Sequence, residues 1–401
     1  MAERTRYRDV LAHREVRAML VADALSVLGD QVARIAVSLL VYERTGSAFA
    51  SAATYACSYL TWLIGGPLLS PLADRYQRRE LMIGCDVARF ALVAALCLPG
   101  LPLWCFFVAL TGVGLLTPPF EAARSALLAD IVQGELYVVA NALSNALAQA
   151  GQVGGFLLGG LLVAGIGSRG ALAVDALTFA LSALALRVAV TPRPADPAPR
   201  TALGAELLAG VRLVLQERHL RYLLLLATVG SVALIVPETL AVAVAAERGR
   251  GPVAAGILTA AVPAGFVVGS FLLLRLTTGD RLAWLPRLGV LSCVPLLASP
   301  WVDNVSGLAA LWLVAGAGGA LQLVANAAFV AAVPAHLRGR AYGVASTCLM
   351  TSQGLAVLVA GALASRTDPR TPVALVALAA LSVLALLPHS RQGGGRHRVK
   401  R

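Results

Sequence analysis

"PLLSPLADRYQRREL", residues 67–81, sets two acids and three arginines between two stretches that are almost free of charge. The charged residues are Asp74, Arg75, Arg78, Arg79 and Glu80. Read outward from there, the chain is oily: 58% of its 401 residues are hydrophobic and only 13% are charged, with a mean hydropathy of +0.77. That composition excludes a water-soluble globular domain. Runs of about 20 apolar residues recur along the whole length, each able to cross a hydrocarbon layer of about 30 Å as a helix.

Hydropathy and punctuation predict twelve helices, over 18–43, 48–72, 80–98, 103–127, 138–165, 171–190, 221–246, 253–276, 284–301, 307–332, 341–364 and 372–388. The connections are short except at 191–220, where "TPRPADPAPR" cannot form a span and the residues after it could form a surface helix. The fold expected is therefore all-α and integral to the membrane. Residues 1–190 form one six-helix bundle, 191–220 a cytoplasmic linker, 221–388 a second six-helix bundle, and 389–401 a basic cytoplasmic tail. Two parallel six-helix halves imply a pseudo-twofold axis along the membrane normal and a substrate cavity at their interface.

The net charge of +12 comes almost wholly from arginines scattered through short connections. They form no stripe with interleaved aromatics, so the charge reads as orientation and not nucleic-acid binding. Arginines crowd the N-terminal segment, the 74–80 loop, the linker and the tail, while the opposite connections hold few. By the positive-inside rule both termini face the cytoplasm, across a cell membrane. The first 20 residues are charged and mixed in sign, and no cleaved signal is expected. The six cysteines have no CxxC spacing and read as small core residues, with no metal site.

The 67–81 loop resembles the one between the second and third helices of the major facilitator superfamily. That family carries a Gly, three residues, an Asp, a basic residue, one residue, a Gly and further basic residues. Here Ser70, Asp74, Arg75, Arg78 and Arg79 keep the acid and bases in register, and both glycines are replaced. The resemblance implies a gate latch, made in one of two alternating states and broken in the other. Each such contact is worth about 1 kcal/mol. The alternative is that the arginines only enforce topology, but Asp74 adds nothing to orientation.

Asp86 and Arg89, then Glu121 and Arg124, are spaced i, i+3 on the third and fourth helices, where each pair can neutralise itself. "PPFEAARSALLADIV", residues 118–132, and "VPAHLRGRAYG", residues 333–343, resemble a subset that includes the enterobactin exporter and macrolide-efflux proteins. In the fifth helix, Gly151, Gly155 and Gly159, with Gly160, leave one face smooth for a neighbour. This is similar to an antiporter motif of the superfamily but has Phe156 where that motif has proline, and plain small-residue packing is the other reading.

The first helix carries Asp23, Asp30 and Arg34 on one face. An acid at mid-depth costs about 2.5–3.5 kcal/mol on insertion scales and needs a partner, a wet cavity or a proton. The resemblance suggests Asp30 as a proton-binding group; the other reading is a fixed Asp30 to Arg34 pair. In the seventh helix Glu238 follows Pro237, as a binding-site acid or as a wet residue near the outer mouth. Asp23, Gln31, Asn145, Gln149, Gln322, Asn326 and Gln353 are cavity candidates.

No Walker sequence, GxSxG, HExxH or histidine cluster occurs, so no cofactor and no enzyme chemistry is expected, and no catalytic residue is assigned. A proton gradient suffices as the driving force: one charge through 100 mV supplies about 2.3 kcal/mol, roughly a fifty-fold gradient of substrate. The function expected is proton-coupled efflux of a hydrophobic or amphiphilic small molecule, such as a drug, antibiotic or siderophore-like metabolite. An uptake symporter and a non-transporting membrane receptor are the rivals. The expected partners are the substrate and the lipid bilayer, with the chain working as a monomer.

Overall fold

Long apolar runs without polar interruption leave the backbone only one way to satisfy its own hydrogen bonds in lipid, which is to form helices. The computed structural model describes residues 7–193, 211–247, 249–334 and 337–386, and helices dominate them. Among the described residues eight helices are long and apolar enough to cross a membrane, one of them bent at Gly167, and with the shorter helices the chain groups into twelve helical segments. They are α1 (Arg14–Thr45), α2 (Ala48–Leu60, continued by Trp62–Leu69), α3 (Arg78–Leu96), α4 (Leu103–Ile131), α5 (134–166) and α6 (168–189). The second half has α7 (Arg218–Glu247), α8 (Pro252–Leu274), α9 (Thr278–Leu297), α10 (Val305–Gly318, continued by Leu321–Ala332), α11 (Arg338–Ala364) and α12 (Thr371–Leu386). Much of the 191–220 linker and the whole 389–401 tail lie outside the described residues, although 211–216 is helical.

Three local departures from the expected helices have physical causes. Between α5 and α6 the helix geometry is interrupted only at Gly167, whose φ of 74° a residue without Cβ adopts at little cost. The expected connection at 166–170 is thus a single sharp corner. In α2 the run breaks at Thr61, whose hydroxyl donates back to the Ser58 carbonyl at 2.8 Å. In α10 the run breaks at Gly319 and Ala320, where i to i+3 bonds tighten the turn: the Gly319 amide donates to the Gly316 carbonyl at 2.8 Å.

The halves meet unequally. Far from the termini, one continuous apolar core takes Ile35, Tyr55 and Phe156 from the first half and Val236, Leu258 and Val357 from the second. Toward the termini there are two separate cores. One holds Met19, Met82, Phe120 and Leu186 of the first half; the other holds Leu223, Leu285, Leu321 and Phe329 of the second. The halves are therefore packed together on the far side and parted on the side that carries the termini.

Candidate transport cavity and the charged clusters beside it

Between the halves lies a cavity of about 180 Å³. Tyr59 of α2, Gln149 and Gln152 of α5, Glu238 of α7, Gln322 of α10 and Gln353 of α11 line it, with Phe266 and Pro263 of α8 as apolar wall. The turn at Gly319 aims Gln322 inward. Its amide donates to the Ser231 hydroxyl and to the Ala227 carbonyl, both at 2.6 Å. Asn145 and Asn326 are exposed four residues before Gln149 and four after Gln322, one helical turn away on the same faces and closer to the parted side.

Glu238 owes its place to Pro237, which removes a backbone donor from α7 at that level. Thr239 hydroxyl donates back to the Ile235 and Val236 carbonyls at 3.0 and 3.1 Å, which satisfies this buried hydroxyl within the helix. The Glu238 carboxyl is 5% exposed, and its Oε1 has no hydrogen-bond partner within the protein. It faces the central cavity and not an outer mouth.

Arg34 does not close on Asp30. Its Nη1 donates to the Tyr59 hydroxyl at 3.5 Å, and its guanidinium lies 6.0 and 5.6 Å from the ring centres of Tyr55 and Tyr59. The fixed Asp30 to Arg34 pair admitted by the sequence is not made here. Both residues line a second, smaller cavity of about 80 Å³ inside the first half, with Ser58, Trp62, Thr117 and Asp175. Tyr59 stands between the two cavities, its hydroxyl on Arg34 and its side chain on the central space.

Asp23, which shares a helix face with Asp30, goes elsewhere. It is buried against Arg124 of α4, whose Nη1 donates at 3.0 Å, and accepts from the Ser144 hydroxyl of α5 at 2.8 Å. It is therefore corrected from cavity lining to part of a cluster inside the first half, which Glu121 joins at 2.7 Å from Arg124. Asp86 and Arg89 lie 3.7 Å apart and fully enclosed; Ser182 of α6 donates to Asp86 at 2.6 Å, and Phe120 and Phe179 flank the guanidinium. Gln31 also leaves the cavity set. Its Nε2 donates to the Val27 carbonyl at 3.3 Å and its side chain packs under Gly155.

The smooth face of α5 lies on α1. A Cβ at Gly155 would stand 2.7 Å from the Leu28 carbonyl oxygen, so the two backbones could not approach as they do with any other residue. Gly151 and Gly159 meet α1 a turn to either side, while Gly160 turns to α8.

In the 74–80 loop Asp74 and Arg75 are exposed. Arg78 pairs with Asp130 at the end of α4. Arg79 donates to the Leu186 and Arg187 carbonyls at 3.3 and 2.5 Å, at the C-terminal end of α6. These bonds join helices of one half. On the far side of the second half, Arg370 before α12 bonds Asp368 at 2.9 Å, Asp303 at 3.0 Å and the Val302 carbonyl at 2.8 Å, and the Asp368 hydrogen bonds push its guanidinium above the ordinary value.

Asp175 was not singled out from the sequence. The available signal was plain: an acid in the otherwise apolar stretch "ALAVDALTFALSALAL", residues 171–186. Tyr59 and Gln152 carried no such mark, because tyrosine and glutamine also occur as ordinary packing residues.

Two parted bundles of six helices around a central polar cavity define a transporter fold. The family model described as Major Facilitator Superfamily matches residues 19–277, and the chain belongs to that superfamily. Family and fold point to a transporter and not to an enzyme. Among curated relatives it is similar to the lysophospholipid transporter LplT of Pectobacterium carotovorum subsp. carotovorum (strain PC1), 25% identical over 186 residues, 45% of this chain and 44% of that one. It is also similar to macrolide efflux protein A of Streptococcus pyogenes, 26% identical over 115 residues, 27% and 28% of the two chains. The chain thus spans less than half the length of these relatives. Among solved structures, a bacterial homolog of the human lysosomal transporter Spinster, inward-facing and unoccupied, has a TM-score of 0.74 at 16% identity, covering 93% of this chain and 96% of that one. The nucleoside transporter NupG gives 0.73 at 12% identity, covering 93% and 98%. At these identities the likeness is one of fold.

Proposed function

We propose that this chain is a proton-coupled exporter of a hydrophobic or amphiphilic small molecule, working by alternating access in the cell membrane with both termini in the cytoplasm. The observation that carries the reading is the placing of Glu238 and the Arg34–Tyr59 contact at the central cavity, with Asp30 in the adjoining one. Charged groups inside a bilayer are costly, and a wet cavity that uses them accounts for their presence. With the termini cytoplasmic, the parted side faces inward, so the cavity would accept substrate from the cytoplasm or the inner leaflet.

Amide side chains beside Phe266, Leu234 and Ile235 suit a molecule with both polar and apolar parts. The named relatives handle such molecules, a macrolide in one case and a lysophospholipid in the other. Asp30 would take up and release the proton, and the 74–80 loop would latch the halves in the opposite state. The enterobactin-exporter likeness is narrower than these matches support, and no siderophore is assigned.

The test is transport by purified protein in liposomes under an imposed pH gradient, with a macrolide and a lysophospholipid as probes. Movement of a probe against its gradient, lost when the pH gradient is collapsed, is expected. A probe accumulated in the direction of proton flow would replace the exporter with a symporter, and no movement of either probe under any gradient would remove the support for this substrate class.

A further inference from the structure

We propose that Asp175 of α6 shares one proton with Asp30 of α1 across the small cavity of the first half, and so keeps Asp30 protonatable beside two arginines. This rests on the proton-coupled reading above and adds to it a residue in a helix not so far involved. The geometry is specific. Both carboxyls line the same cavity of about 80 Å³. Asp175 is 1% exposed, and its Oδ2 has no hydrogen-bond partner within the protein. Its Oδ1 presses on α1 at Gly29, next to Asp30, where any Cβ would overlap both Asp175 and Thr178. The absence of a side chain at residue 29 is what lets the acid of α6 reach that level of α1.

The charged and titratable groups around the pair come from three elements: Asp23 and Arg34 on α1, Asp86, Arg89 and Cys97 on or at the end of α3, and Glu121 on α4. Arg89 is committed to Asp86 and to two aromatic rings, and Arg34 to Tyr55 and Tyr59. Neither cation is bonded to Asp30 or Asp175. Two carboxyls lining one small low-dielectric space repel when both are ionised, so one proton for the pair is the low-energy state. A metal cation fits less well. The remaining wall, including Val37, Val93, Leu110 and Leu172, offers few oxygens to replace a hydration shell.

The experiment uses the purified full-length protein in lipid nanodiscs at neutral pH and dicyclohexylcarbodiimide, which reacts with protonated carboxyls in apolar surroundings. Labelled peptides are located by mass spectrometry. The wild type should take label at Asp30. In Asp175→Asn that label should be lost, because the remaining carboxyl then faces Arg34 and Arg89 without the acid that shares its cavity, whereas Asp175→Glu should retain it; an unfolding temperature of Asp175→Asn equal to wild type excludes misfolding as the cause. Labelling of Asp30 at the wild-type rate in Asp175→Asn, or its absence in the wild type, would overturn the proposal. If the label depends on Asp175 but Asp30→Asn still exports a macrolide under a pH gradient, the acid pair stands and the coupling role of Asp30 falls.

Discussion

Gly160 on α5 and Gly256 on α8 bring the two halves into backbone contact: a Cβ on either would stand 3.0 Å from the other's Cα. This contact belongs to the packed side, far from the termini, and it must open for the cavity to be reached from there. Packing of this kind is lost as a unit when the halves rock, because no side chain bridges the gap.

Gly256→Leu should therefore destabilise the state seen here. Overpacking of a close contact costs about 1–3 kcal/mol, which shifts the balance between the two open states by about 5- to 150-fold. Cysteines placed at Asn145 or Asn326, in a background without the six native cysteines, should then react more slowly with a polar maleimide. Unchanged reactivity would mean that the glycine contact does not set the balance.

The Asp23–Arg124 pair should govern folding more than transport. Removing one member leaves a buried charge without its partner, at a cost of about 3–5 kcal/mol. Arg124→Gln should lower the thermal unfolding temperature in detergent markedly, and Asp23→Asn with Arg124→Gln should recover part of the loss. Additive losses in the double variant would show that the two are not coupled.

Arg79 separates a structural role from orientation. Arg79→Lys keeps the positive charge of the loop, yet a single ammonium cannot hold the Leu186 and Arg187 carbonyls as the planar guanidinium does. A stability loss of about 1.5–3 kcal/mol is expected, with membrane orientation preserved in a protease-protection assay. Full stability in Arg79→Lys would reduce the residue to a topology signal.

Asp30→Asn should abolish gradient-driven efflux while expression and unfolding temperature stay near wild type, whereas Asp74→Asn should slow exchange in both directions. Rates measured in liposomes with and without a pH gradient distinguish them. If Asp30→Asn exports normally, Glu238 is the next candidate for the coupling group.

Hydropathy and charge were enough to establish a helical membrane chain, and the 74–80 loop carried the resemblance to its family, because lipid admits few backbone arrangements. The i, i+3 pairs Asp86–Arg89 and Glu121–Arg124 were legible for the same kind of reason, since one helix fixes both members. Which helix Asp23 would face, that Arg34 would turn to Tyr59, and that Asp175 would line one cavity with Asp30 were decided by the packing of α1 against α2, α4, α5 and α6. Those contacts join residues tens to more than a hundred positions apart, and helical periodicity specifies a face without naming the neighbour that covers it.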